Sequence, residues 1–142
     1  MIFDGVGRDR LRQAWAEAWR KARAGEVLQA QEAAIAGVVE DHPEYQDLLG
    51  DPRALERDFS VGAGESNPFL HLSMHLAIRE QVATDRPPGI AAVHRALAAG
   101  AGVHAAEHRM MECLGETLWE AQRAGLAPDE QRYLQRLGKL RG

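Results

Sequence analysis

The sequence predicts an all-α fold, a single-domain bundle of about six to seven helices, and three observations predict it. Few segments alternate with period two, and β-branched residues are scarce. Ala, Leu, Glu, Arg and Gln, all good helix formers, dominate the chain. The third observation is the stretch NPFLHLSMHLAIREQVATD, Asn67 to Asp85. Asn67 suits an N-cap and Pro68 the first helical position, so the helix core covers about 68–84. Pro87 and Pro88 stop it. Its apolar side chains run nearly all the way round the helical wheel. Only Ser73, Glu80 and Thr84 make a narrow polar strip, and such a helix is usually central and buried.

The other elements follow in order. A first helix spans about Asp9 to Ala24, with Leu11, Trp15, Ala18, Trp19 and Ala22 as its apolar stripe and Gly25 as its stop. The basic residues Arg8, Arg10, Arg12, Arg20, Lys21 and Arg23 are interleaved with acids and read as a solvated face, with a partner surface as the alternative. A second helix runs from about Gln29 to Asp41 with Ile35, Val38 and Val39 inward. His42-Pro43-Glu44-Tyr45 breaks it and starts a short helical turn through Leu49; His42 reads as a turn residue. Asp51-Pro52 opens another short helix to about Phe59. Ser60 to Ser66 is a loop. After the central helix a shorter one covers about Pro88 to Ala99, ended by Gly100-Ala101-Gly102. A long helix covers about 103–124 and closes at Gly125. Pro128 starts a last helix to about Leu140. Trp15, Trp19 and Trp119 are spaced like core or interface anchors, and Cys113 reads as a small buried side chain.

At 142 residues, 45% hydrophobic and 27% charged, the chain has the ordinary values of one globular domain. A net charge of −4 argues against general affinity for nucleic acid or an anionic membrane. No apolar run approaches the roughly 20 residues that span a bilayer. The start, MIFDGVGRDR, lacks the pattern of a signal peptide. A single cysteine allows no internal disulfide, so a reducing, cytoplasmic compartment is expected.

The six histidines are clustered. His71 and His75 sit four apart on one face of the central helix. His104 and His108 repeat that spacing on the long helix, with Glu107 on the same side and Glu112 at its edge. A helix of about 25 Å up, a short return helix and a second ascent would bring both pairs to one level. Facing His pairs are how bundle cores build metal sites. Neutral imidazoles with a nearby carboxylate suit a first-row divalent metal such as zinc, iron or manganese. The expected ligands are therefore His71, His75, His104 and His108, with Glu107 or Glu112 as a carboxylate ligand or supporting group. Two rivals stand beside this. Both pairs lie near helix N-termini, which favour an anionic or other small-molecule ligand. Buried histidines also serve as hydrogen-bonded core residues. His-x-x-Glu-His matches the inverted zinc-peptidase pattern too, but those enzymes are much larger. His94 could approach the site or be exposed.

Four strings carry a resemblance: HPEY at 42–45, NPFLHLSMH at 67–75, Glu80-Gln81 followed by Pro88-Gly89-Ile90, and AEH at 106–108 running on through MECLGE at 111–116. With them the chain resembles a small family, domain of unknown function 1841, over nearly its whole length. The resemblance implies a bacterial, cytoplasmic protein and carries no activity over. The leading expectation is thus a metal- or ligand-binding helical protein; if an enzyme, it would be a metal-dependent hydrolase or oxidoreductase. The alternative is a structural or interaction module with no cofactor, such as a homo-oligomer held by tryptophans of the first helix.

Overall fold

The computed structural model describes residues 5–57 and 67–141. Every regular element among them is helical. The order is α1 (Gly5–Arg23), α2 (Ala30–Glu40), a 3-10 turn (Pro43–Tyr45), α3 (Gln46–Leu49), α4 (Pro52–Glu56), α5 (Pro68–Thr84), α6 (Ile90–Ala101), α7 (Val103–Ala124) and α8 (Glu130–Arg141). The fold class is the expected all-α helical bundle, with eight α-helices among the described residues rather than six or seven. The expected loop at Ser60–Ser66 and the end of α4 at Phe59 lie outside the described residues. The chain forms two compact units, Met1–Leu76 and Ala77–Gly142. The boundary falls inside α5, so no linker separates them.

In the first unit α1 packs on α2, α3 and α4. Trp15, Ala18, Val38, Val39 and Leu72 are fully buried there, with Ile35, Leu49, Leu55 and Phe69 around them. Trp19 is half-buried against this core. Two expectations for α1 are corrected. Leu11 is 38% exposed, whereas Arg12 is only 2% exposed. On the wheel these two flank Trp15 by about 40° and 60°, so either can turn inward. Arg12 turns inward because acceptors wait there. Its Nη1 donates to the Leu55 carbonyl at 3.1 Å and the Arg57 carbonyl at 2.7 Å. The solvated reading holds for Arg20, paired with Glu17 and Glu26, and for Lys21, 2.9 Å from Glu32.

In the second unit α6, α7 and α8 pack against one another. Ile90, Val93, Leu97, Met110, Leu114 and Leu137 supply its core. The Asp85 carboxylate accepts the amides of Gly89 at 3.1 Å and Ala91 at 3.0 Å, so α6 begins at Ile90 rather than Pro88. Gly125, at φ +67°, closes α7 in the left-handed conformation that glycine adopts without strain. Cys113 is buried as expected, and burial pushes its thiol pKa up, which keeps it protonated. Trp119 is not a core anchor: it is 55% exposed, with the Arg123 guanidinium stacked over its ring. Tyr133 donates from its hydroxyl to Gln81 Oε1 at 2.7 Å, and burial holds that phenol protonated.

Candidate metal centre

The N-terminus of α5 is fixed before its histidines appear. Asn67 Oδ1 accepts the amides of Phe69 at 3.0 Å and Leu70 at 3.2 Å, and Pro68 takes the first helical position. The cap behaves as the sequence predicts. The first two turns of the helix then set His71 and His75 on one face, as i, i+4 spacing requires. His75 is fully buried and His71 half-buried. Their Nε2 atoms stand 3.3 Å apart. The helix is less enclosed than its composition suggests, since Leu70 is 49% exposed.

The third imidazole comes from the end of α2. His42 is fully buried, and its ring packs edge-on to His75 at 4.3 Å and to His71 at 5.5 Å between centroids. Its Nδ1 lies 2.7 Å from the Val38 carbonyl oxygen. A carbonyl only accepts, so Nδ1 carries the proton and Nε2 keeps its lone pair. A backbone carbonyl that fixes the tautomer in this way is the usual outer support of a metal-ligating histidine. His42, His71 and His75 each offer a ring nitrogen, and those atoms lie within 4.8 Å of one another. Tyr45 walls the group, with its ring 5.9 Å from His71 and 6.1 Å from His42.

The spacing has a chemical meaning. Two nitrogens bound to one zinc at 2.0–2.1 Å in tetrahedral geometry are about 3.3–3.4 Å apart. The His71–His75 separation of 3.3 Å falls on that edge length. Three imidazoles form a donor set for zinc, copper, iron or nickel, and a poor one for magnesium or calcium. The helix dipole opposes a cation at His71, the fourth residue of α5, and less at His75, the eighth.

His42 was read from sequence as a turn residue, and it is one: it caps the 3-10 turn at Pro43. That role hid the other. The visible signal was its place in the HPEY string, one of those that carry the family resemblance.

The second pair belongs to the second unit. His104 and His108 lie on the first turns of α7 with ring centroids 4.6 Å apart. The expected meeting of the two pairs therefore draws one pair from each unit. Glu107 is 2% exposed, and both its oxygens accept from Arg79, at 3.0 and 3.3 Å. Its charge is already answered by a guanidinium, which makes it a weaker candidate ligand than its spacing suggested. Glu112 is exposed and His94 half-buried.

The family model described as "Domain of unknown function (DUF1841)" matches residues 7–139. No curated protein and no solved structure matches the chain. The match spans nearly the whole chain, and the chain belongs to this family of unknown function.

Proposed function

We propose that this member of the DUF1841 family binds a first-row divalent metal ion through His42, His71 and His75. One observation carries the reading: three imidazole nitrogens lie within 4.8 Å of one another, two of them at the edge length of a zinc tetrahedron. The Val38 carbonyl supports it by holding the His42 tautomer that leaves Nε2 able to bind. Zinc is the first choice and iron the second. Manganese ranks lower, since it prefers carboxylate ligands.

The residues suggest a division of labour. His42 anchors the end of α2, and His71 and His75 anchor α5, so an ion held by all three would tie these elements together. With three protein ligands, a fourth position would hold water or a further ligand. A further ligand would make the ion structural, and a water would open the way to hydrolytic chemistry.

A second reading has an observation of its own. The contact between His71 Nε2 and His75 Nε2 is also compatible with a long N–H···N hydrogen bond, and His42 already donates to Val38. On that reading the histidines are core polar residues of an interaction module. Metal content distinguishes the two. Untagged protein should retain or take up about one zinc or iron per chain, and a chelator should lower its melting temperature. Protein that stays metal-free when zinc, iron and manganese are offered, and melts the same with chelator, supports the second reading.

A further inference from the structure

Arg12 stands out among the buried side chains because it is a full charge on the core face of α1. It is 2% exposed and lies three residues before the fully buried Trp15. A buried guanidinium requires acceptors, and Arg12 has two backbone carbonyls, Leu55 at 3.1 Å and Arg57 at 2.7 Å. Both lie at the C-terminal end of α4, where helical carbonyls lack partners and a cation is favoured. The same guanidinium lies over the Phe69 ring, with Cζ 4.6 Å from the ring centroid. Phe69 is the second residue of α5, two before His71. One side chain of α1 thus grips the end of α4 and the start of α5 together.

From these contacts we infer that Arg12 is a positioning residue for the metal centre. It acts through Phe69, by fixing the first turn of α5 and so the place of His71. This rests on the metal reading above. A hydrophobic residue of similar size would fill the space but would leave the α4 carbonyls without a donor. A lysine would supply a charge and donors for the carbonyls, but no delocalised guanidinium to lie over Phe69. The chemistry therefore asks for arginine at this position. Groups that support a metal ligand from outside typically change metal affinity 10- to 100-fold when removed.

Cobalt(II) is the probe, because its visible spectrum reports ligand geometry as well as occupancy. The full-length wild type, Arg12→Gln, Arg12→Lys and Phe69→Leu are titrated with cobalt, and each is checked for helix content by circular dichroism. The wild type should give an intense, tetrahedral spectrum. Arg12→Gln and Phe69→Leu should keep their helix content yet bind cobalt roughly 10- to 100-fold more weakly, with an altered spectrum at saturation. Arg12→Lys should not restore the wild-type spectrum. The double variant should lose no more than the worse single one, since both act through one contact. If Arg12→Gln does not fold, Phe69→Leu carries the test, because it removes the stack and leaves the arginine. Wild-type affinity and spectrum in Phe69→Leu would overturn the positioning role. A wild type that binds no cobalt would overturn the centre itself, which is a different result.

Discussion

His42 gains its meaning from one hydrogen bond. The Val38 carbonyl, 2.7 Å from Nδ1, decides which nitrogen of a fully buried ring is basic. Replacing His42 with Ala should therefore weaken zinc binding at least as much as His71→Ala, measured by competition with a coloured chelator. Equal binding in His42→Ala and wild type would remove His42 from the centre. Protons compete with metals for imidazole nitrogen, so zinc affinity should fall as the solution is acidified. A flat affinity between neutral and mildly acid pH would argue against imidazole ligation. The histidines of α5 were legible from sequence because i, i+4 spacing on an apolar face is a local pattern. His42 was not, because its partners are distant in sequence and its turn role explained it fully. The same limit misplaced Arg12 and Leu11: both flank Trp15 on the wheel, and only the carbonyls of α4 choose between them. Glu107 was found by its spacing, but its partner Arg79, 28 residues away, was not. Glu107→Ala should cost about 3 kcal/mol of stability, the low end for a broken buried pair because Arg79 is 27% exposed. Chemical denaturation measures this, and a loss under about 1 kcal/mol would mean the pair is fully screened.

Helices are where sequence and structure agree best, because caps and stops are local chemistry. Asn67 caps α5, Asp51 caps α4 by accepting the Arg53 amide at 3.0 Å, and Gly125 ends α7. Asn67→Ala should cost about 1 kcal/mol by thermal unfolding, since two first-turn amides lose their acceptor. No change would mean that water replaces the cap without loss. Trp15 belongs to the same scale, as the residue that seats α1 on its unit. Trp15→Ala should cost roughly 3–5 kcal/mol. Trp19→Ala should cost less, because Trp19 is only half-buried. If both variants melt like wild type, the stripe is not the core of that unit. Trp119 shows what helical spacing leaves undecided. Its place on α7 reads like a core or interface anchor, and at 55% exposed under Arg123 it is not in the core. An amphipathic pattern names the apolar positions of a helix, but packing decides which of them meet a neighbour.

For the molecule as a whole, composition and periodicity were enough for the all-α class, and four strings were enough for the family. The centre was half legible: the pair on α5 was plain, and the third ligand required the fold. No helix of the described residues is long and apolar enough to cross a membrane. If an ion ties α2 to α5, it must stabilise the folded chain by mass action. Zinc at 100 times its dissociation constant would add about 2.7 kcal/mol, which a melting curve reads easily. The most direct measurement is zinc per chain, together with melting temperature, for untagged wild type beside His42→Ala and His71→Ala. The proposed centre predicts one zinc per wild-type chain, a clear rise in melting temperature when zinc is added, and loss of both in each variant. A wild type that binds no zinc, iron or manganese, and whose melting temperature none of them moves, would contradict it.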